Sequence, residues 1–451
     1  MIEFSRMQFQ HAEFIKAIAQ VADPLPPTIS KESLRFHVLP VSGFAKGLIP
    51  MLLLLFQRFL GLFAFAFLPW NQAVCIACLL VLFNLFLSRV PEGEAGVVVC
   101  RPCTQRQKRI IDMVNHYCLY EQPPWCLDNH WTTVLPLLMF QHPPKRLYRQ
   151  SLDAHDGATL SLDWYIPSSE NLQGIILVIP GLNGSSQEGY VADLMDRVGK
   201  SGFASAVLNG RGAGKTKLLA VESAFHLGRS TDLLTALVGI ETATRSYASS
   251  KLPIFIVGYS AGGIRAMKFA SVYGASLQDR VAGIVSFGAS VRNHSTLGLR
   301  SSTLVYQPVI THTYASMMYE KILTVPEQRR DVETLFTSRG FDSFRDFDRR
   351  VTSVLHNMTL EEYEREVFAY HDDRWRDVAV PMLVVNAIDD PVLHIEDAVV
   401  PEMAYGNSNI VFLKTKKGGH IGWPVGLSST EHGYRWMSDV TLSFINAIHG
   451  D

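Results

Sequence analysis

The stretch PIFIVGYSAGGIRAMKFA, residues 253–270, decides the fold. Its first half is a short apolar, β-branched run typical of a buried strand, and its second half has the spacing of an amphipathic helix. Between the halves stands Gly258-Tyr259-Ser260-Ala261-Gly262, which fits the pattern G-x-S-x-G. A sharp strand-to-helix turn of this pattern exposes the serine oxygen, and its glycines allow strand and helix backbones to pass closely. The context predicts that Ser260 is a nucleophile.

Short apolar runs on both sides of this turn predict an α/β fold, a mostly parallel sheet flanked by helices. They are separated, for the most part, by helix-length segments. A hairpin pattern around residues 155–157 comes before them, and a long polar insertion, about residues 290–375, predicts a helical cap over the site. The expected strands are LYRQSLDA (147–154), TLSLDWYI (159–166), GIILVIPG (174–181), ASAVLN (204–209), PIFIVGYS (253–260), AGIVSFGA (282–289), MLVVNAID (382–389) and NIVFLK (409–414).

A serine hydroxyl becomes a strong nucleophile only when a base removes its proton and a third group orients that base. Behind a turn of this type, the acid and then the histidine are expected in loops after later strands. The run MLVVNAIDDPVL, residues 382–393, supplies Asp389 or Asp390 as the acid. The Gly-rich loop that follows NIVFLK supplies His420 as the base.

Two backbone N–H groups are needed to stabilise the oxyanion that forms when a serine attacks a carbonyl. The N–H of Ala261 is one candidate, because it follows the serine at the start of the predicted helix. The second is the N–H of Leu182, in VIPGLNGSSQEGY (178–190), where Gly181 lets the chain turn. The sequence thus predicts an oxyanion hole formed by Leu182 and Ala261.

The end of VLNGRGAGKT, residues 207–216, resembles a phosphate-binding loop of nucleotide-binding proteins. That loop requires a glycine at position 209, which is Asn209 here, so we expect no nucleotide. The chain has 41 Lys and Arg residues against 42 Asp and Glu, a net charge of −1, which gives no reason to expect nucleic acid as a partner.

The six cysteines all precede residue 130 and include two C-x-x-C pairs, Cys75 with Cys78 and Cys100 with Cys103. The first pair lies within a long apolar stretch, where thiols are small apolar residues, and the second lacks the matching C-x-x-C or H-x-x-x-H pair that a structural zinc needs. We therefore expect neither a metal nor a cofactor. The later part of the chain contains no cysteine, so it needs no disulfide.

An apolar run from Leu48 to Leu87 contains a single charged residue, Arg58. It is long enough for one or two membrane spans, and both counts remain open. We expect an N-terminal arm (1–45), a membrane-inserted segment (46–89), a connector (90–146) and a catalytic domain (147–451). Basic residues after the run favour a cytosolic catalytic domain on an integral membrane protein.

Seven motifs, in this order, resemble those of the α/β-hydrolase family of membrane-anchored esterases and lipases, whose relatives include bacterial hydrolases and yeast medium-chain ethyl-ester synthases. They are DGATLSLDW (156–164), GLNGSSQEGYV (181–191), NGRGAGKT (209–216), GYSAGG (258–263), FRDFDRRVT (344–352), NAIDDP (386–391) and GGHIGW (418–423). The resemblance implies the α/β-hydrolase fold, a triad of Ser260, Asp390 and His420, and a preference for Asp390 over Asp389.

For substrates, the resemblance implies acyl esters of lipids, such as monoacylglycerols, phospholipids or medium-chain esters. Two alternatives stay open. One is an acyltransferase that passes the acyl group to an alcohol other than water. The other is a catalytically silent scaffold on the same fold, which should have a missing triad residue or an altered serine turn.

Overall fold

The computed structural model describes most of the chain after residue 95 and a short segment near the N-terminus. The described residues are 13–24, 96–101, 104–126, 128–140, 145–168, 172–213, 216, 224, 226–245, 252–293, 299–323, 325, 332, 334–336, 340–426 and 433–449. The predicted membrane segment, residues 46–89, lies outside them. Among the residues described, none of the helices is long and apolar enough to cross a membrane.

A ten-stranded sheet forms the centre of the molecule, with the strand order β1-β3-β4-β6-β5-β7-β8-β9-β10-β2. The six strands from β6 to β10 in this order are parallel, and the strands at the two ends are antiparallel. All eight predicted strands are present. The strands are β1 Asp23–Pro24, β2 Val97–Val99, β3 Tyr148–Asp153, β4 Thr159–Tyr165, β5 Gly174–Ile179, β6 Phe203–Asn209, β7 Ile254–Tyr259, β8 Gly283–Phe287, β9 Met382–Ala387 and β10 Ile410–Thr415.

Helices pack on both faces of the sheet, as predicted for continuous apolar strands. Strand β5 shows why, since Ile175, Leu177 and Ile179 enter one core while Ile176 and Val178 enter the other. The helices are α1 (13–19), α2 Gln105–Val114, α3 Asn129–Met139, α4 Gly189–Gly199, α5 Thr231–Thr244, α6 Ala261–Tyr273, α7 Gln307–Ile322, α8 Phe344–Phe347, α9 Ser353–Leu355, α10 Leu360–Val367, α11 Ile395–Ala398, α12 Pro401–Gly406 and α13 Arg435–His449.

Part of the expected N-terminal arm, residues 13–24, packs against the sheet. Phe14 and Ile18 of α1 are fully buried in one of the two cores. Asp23 and Pro24 then pair with Arg149 and Tyr148 at the edge of the sheet. Residues 13–24 are therefore part of the α/β domain.

The connector is also part of the domain. Its β2 pairs antiparallel with β10, so that Val99 lies opposite Phe412. Helix α2 buries Ile110 and Val114 in the second core. The prolines and aromatic residues of this segment obscured its pairing with strands more than 300 positions away, because sequence periodicity reports only local structure.

Between β8 and β9 the described residues are mostly helical, as predicted for the insertion. Helices α7 to α10 belong to it, together with π-helical turns at Ser302–Tyr306 and Asp348–Thr352. Its aromatic residues form a core of their own, centred on Phe336, Phe341 and Phe347. The insertion is thus a small subdomain with its own apolar interior.

Candidate active site

Ser260 occupies the turn between β7 and α6 in a strained conformation, with φ 50° and ψ −118°. A positive φ is uncommon for a residue with a side chain, and such strain is concentrated at functional sites. The surrounding glycines are required by packing. A Cβ on Gly258 would collide with the backbone of Gly262, and one on Gly262 would collide with the carbonyl oxygens of Ile179 and Pro180.

The three residues predicted as a triad meet above the carboxyl ends of the parallel strands. The Oγ of Ser260 lies 2.9 Å from Nε2 of His420. The Nδ1 of the same imidazole lies 2.8 Å from Oδ2 of Asp390. The other carboxylate oxygen of Asp390 accepts the backbone N–H groups of Val392 and Leu393, at 2.7 and 2.9 Å. One carboxylate oxygen of Asp390 is thereby held by backbone N–H groups, while the other orients His420.

Asp389 is buried beside the triad but its carboxylate points elsewhere. Its Oδ1 accepts the N–H of Gly419, the residue before His420, at 2.9 Å. Burial raises the pKa of Asp389 to about 7, with Asp390 contributing in the same direction. Lys417, 3.9 Å from Oδ2, partly opposes this rise. The structure therefore brings Asp390, and not Asp389, to the imidazole.

Helix α3 of the connector joins the loops that carry the acid and the histidine. The side chain of Asn129 donates to the carbonyl of Asp389 at 2.7 Å. The Oγ1 of Thr133 accepts the N–H of His420 at 2.9 Å, and its own hydroxyl donates to the carbonyl of Asn129. One turn of helix thus fixes both loops. These residues could not be predicted from the sequence, because nothing local to Asn129 or Thr133 points to loops some 260 to 290 positions away.

The loop that contains Leu182 is held by buried polar side chains. Tyr190 accepts the N–H of Gly181 through its hydroxyl at 3.0 Å. The hydroxyl of Ser186 donates to the carboxylate of Asp163 at 2.6 Å, and the side-chain amide of Asn209 donates to the same carboxylate at 2.9 Å. Asp163 and Asn209 belong to two of the motifs of the sequence, but their function in holding this loop could not be predicted from the motifs alone.

Arg211, in the loop that resembled a phosphate site, binds carboxylates of the protein itself. It is almost fully buried and pairs with Asp156 at 2.6 Å and Asp232 at 2.6 Å. Burial favours a higher pKa for Asp156, but the hydrogen bonds and charge of Arg211 outweigh it and lower the pKa to about 2. Asp232 also contacts Arg265 of α6 at 3.3 Å. The network ties the hairpin and the loop after β6 to the helix that follows the serine.

Ser260 and His420 open into a cavity with about 1050 Å³ of empty space, part of it continuous with solvent. Both predicted oxyanion residues, Leu182 and Ala261, line it as well. One part of its wall is apolar and is shared between the sheet domain and the cap. The apolar lining comprises Leu182, Leu227, Ile264, Ile310, Phe344, Val367, Phe368, Val392 and Leu393.

The cap also places polar side chains on this cavity. Asp348 is enclosed by protein but faces the cavity, and it is hydrogen-bonded to Thr352 at 2.9 Å and to Tyr363. Burial raises its pKa to about 7. Arg345 pairs with Glu364 at 2.7 Å, while Asp346 accepts from Arg350, so both side chains form ion pairs within the cap.

Comparison with known proteins agrees with this architecture. A family profile described as serine aminopeptidase, S33, matches residues 170–409. Human phospholipase ABHD3 is 26% identical over 341 residues, covering 73% of this chain and 80% of the relative. Monoacylglycerol lipase ABHD2 of Danio rerio is 26% identical over 366 residues, covering 74% and 83%.

Among solved structures, a soluble variant of monoglyceride lipase from Saccharomyces cerevisiae, in complex with a substrate analogue, shows 14% identity and a TM-score of 0.41. The match covers 66% of this chain and 93% of the lipase chain. The profile match spans more than half of the chain, and it includes the serine turn and the acid loop. The chain belongs to the serine aminopeptidase S33 family of α/β-hydrolases and is a serine hydrolase of the esterase and lipase class.

Proposed function

We propose that this protein hydrolyses acyl esters of membrane lipids through an acyl-enzyme formed on Ser260. The hydrogen-bonded series from Ser260 to His420 to Asp390, with separations of 2.9 and 2.8 Å, is the observation that carries the proposal. In this arrangement the imidazole can accept the serine proton while the carboxylate holds it in the required tautomer. Ser260 is the nucleophile, His420 the general base and Asp390 the orienting acid.

The reaction follows from these positions. His420 takes the hydroxyl proton as Oγ of Ser260 attacks the ester carbonyl, and the N–H groups of Leu182 and Ala261 stabilise the oxyanion. His420 then gives that proton to the departing alcohol, which leaves the acyl group on Ser260. A water molecule attacks the acyl-enzyme, its proton passes to His420, and the fatty acid is released as the serine is reprotonated.

The cavity supports a lipid as the substrate. Its apolar wall can shield an acyl chain from water, which favours lipid esters over small polar esters. The matched relatives are named as a phospholipase and a monoacylglycerol lipase, which supports a glycerolipid ester. We further propose that the apolar run at residues 46–89 anchors the enzyme beside its substrate in the membrane, with the catalytic domain in the cytosol.

Hydrolysis of defined lipids by the full-length protein tests this function. Wild type and Ser260→Ala would be reconstituted in vesicles that contain monoacylglycerol or phosphatidylcholine, and the fatty acid and acylated alcohols would be measured by mass spectrometry. We expect fatty acid from wild type alone. Acyl transfer to an added alcohol without fatty-acid release would favour the acyltransferase alternative. Equal rates for the two proteins would refute the function of Ser260.

A further inference from the structure

Helix α3 ends in an exposed apolar surface. Its first half is buried, and Asn129, Thr132 and Thr133 lie against the catalytic loops. At its C-terminal end, Leu137, Leu138 and Met139 expose 55%, 71% and 44% of their surface. We call these three residues the α3 tip. Three adjacent exposed apolar side chains exceed the scattered single ones normal on a soluble surface.

The α3 tip lies at the edge of the sheet that carries the triad. The helix begins on the loops after β9 and β10, through Asn129 and Thr133. Phe140, which follows the tip, packs against Tyr434 with ring centroids 5.2 Å apart and approaches Gly189, the first residue of α4. Helix α4 begins after the loop 180–188 that follows the carboxyl end of β5, so both ends of α3 lie at the carboxyl edge of the parallel strands.

The chain also enters the domain at this edge when it arrives from the apolar run. Strand β2 is antiparallel to β10, and Val97 lies opposite Lys414 near the carboxyl end of β10. The apolar run ends at Leu87, so the nine positions from there to Gly96 reach about 30 Å at most. A bilayer that holds the run therefore lies within that distance of the catalytic edge.

A further exposed apolar residue lies near this entry point. Leu119 exposes 73% of its surface, and the next residue, Tyr120, donates its hydroxyl to the carbonyl of Pro424 in the loop after His420. Val97 itself is 41% exposed. Leu119 and Val97 thus add exposed apolar side chains near the segment that follows the apolar run.

We propose that the α3 tip inserts into the surface of the lipid bilayer that contains the substrate and holds the catalytic edge against it. This inference rests on the proposed function, since a lipid ester must pass from the bilayer to Ser260. Helix α3 then has two functions: its buried half positions His420, and its exposed end contacts lipid. A membrane contact at one end is thereby coupled to the catalytic loops at the other.

The side chains of the α3 tip are all apolar. Helix α2, which contains the basic residues after the apolar run, begins at the opposite edge, because Gln107 donates to the carbonyl of Ser408 just before β10. The basic side chains at its start are therefore remote from the α3 tip. Insertion of the apolar α3 tip should accordingly be measurable on neutral bilayers.

The first test compares two esters with the full-length enzyme in neutral phosphatidylcholine vesicles. Leu137→Asp/Leu138→Asp should lower hydrolysis of monoacylglycerol in the vesicles by about tenfold, because the charged side chains oppose insertion. Hydrolysis of water-soluble p-nitrophenyl acetate should stay unchanged. Val238→Asp is the matched control, since Val238 is 47% exposed on α5, and it should leave both rates unchanged.

The second test does not depend on activity. An environment-sensitive fluorescent amino acid placed at position 138 should be quenched by brominated phosphatidylcholine, whereas the same group at position 238 should not. Equal quenching at the two positions, or none at either, would overturn the docking surface. A parallel fall in both ester rates with Leu137→Asp/Leu138→Asp would also contradict it, because the substitutions would then act through the fold.

Failure of the proposed function has a different signature. If wild-type protein hydrolyses neither ester, the lipid-hydrolase function fails, while quenching at position 138 still reports on docking. If both esters are hydrolysed and position 138 is not quenched, the function stands and the docking surface fails.

Discussion

At the residue scale, Asp389 and Asp390 are neighbours in the chain but their carboxylates have different partners. Asp390 binds the imidazole, and Asp389 binds the amide of Gly419. We predict that Asp390→Asn lowers kcat by several orders of magnitude, about 10⁴-fold, because the amide favours the wrong tautomer of His420. Asp389→Asn should cost about tenfold or less, since its oxygen can still accept from Gly419. The kcat of each variant can be measured with a soluble ester. A larger loss in Asp389→Asn than in Asp390→Asn would show that Asp389 is the acid of the triad.

The second prediction at this scale is that Asp348 makes the stability of the folded protein depend on pH. Its pKa is about 7 in the folded protein because of burial, so between about pH 4 and 7 the folded chain keeps a proton that the unfolded chain has lost. Stability therefore falls as pH rises through this window, by up to about 1.4 kcal/mol per unit for this group. Asp348→Asn should weaken that dependence.

Thermal unfolding of the full chain in detergent micelles at pH 5 and pH 7.5 tests this sign. The difference between the melting temperatures at pH 5 and pH 7.5 should be smaller in Asp348→Asn than in wild type. Asp346→Asn is a suitable comparison, because Asp346 is a second buried carboxylate of the cap and is paired with Arg349 and Arg350. An unchanged gap in Asp348→Asn would show that this carboxyl is ionised throughout.

At the scale of elements, helix α3 ties the connector, residues 90–146, to the catalytic loops. Thr133→Val keeps the shape of the side chain but removes the acceptor for the N–H of His420. We predict a fall in kcat of about fivefold to tenfold with little change in KM, from the loss of about one net hydrogen bond. Thr132→Val is the matched control, because Thr132 donates to the same carbonyl of Asn129 without contacting His420 through its hydroxyl. Equal losses in both variants would argue against this function of Thr133.

The junction of β7 and α6 depends on the absence of side chains. Gly262→Ala would drive a Cβ into the backbone carbonyls of Ile179 and Pro180, which cannot move without shifting β5. We predict destabilisation by about 3 kcal/mol or more. Gly181→Ala should be tolerated by the fold, since its Cβ would meet nothing closer than 3.4 Å. The melting temperatures of the two variants test this prediction. An unchanged melting temperature in Gly262→Ala would show that the junction has room for a Cβ at position 262.

The elements that sequence predicted and those that it missed differ in the range of their interactions. The six strands β5 to β10 could be predicted because each is a short apolar run, and β3 and β4 could be predicted from the hairpin pattern around residues 155–157. Strands β1 and β2 have two and three residues and exist only because β3 and β10 offer free edges. Pairing between distant segments leaves no local pattern, so the contribution of 13–24 and of the connector was not predicted.

The same distinction applies to the candidate site. The serine turn and the order of acid and histidine are local patterns with a known chemical requirement, and the structure brings Ser260, Asp390 and His420 together. The residues that hold them, such as Asn129, Thr133 and Asp163, are ordinary polar residues in sequence. Their importance lies in which loops the fold places beside them.

At the scale of the whole molecule, the catalytic edge combines three features on one side. The triad, the cavity beneath the cap and the entry of the chain after the apolar run all lie at the carboxyl ends of the parallel strands. The opposite edge carries the start of α2. This polarity fits an enzyme that takes its substrate from a membrane surface.

Labelling with a fluorophosphonate probe tests the central claim, an activated serine at position 260, most directly, because the probe needs no known substrate. Membranes carrying wild type, Ser260→Ala or Ser290→Ala would be treated with the probe. Ser290 lines the same cavity without contacting His420 and is therefore the matched control. We predict labelling of wild type and Ser290→Ala, and none of Ser260→Ala. Labelling that persists in Ser260→Ala, or folded wild-type protein that is not labelled, would contradict the assignment.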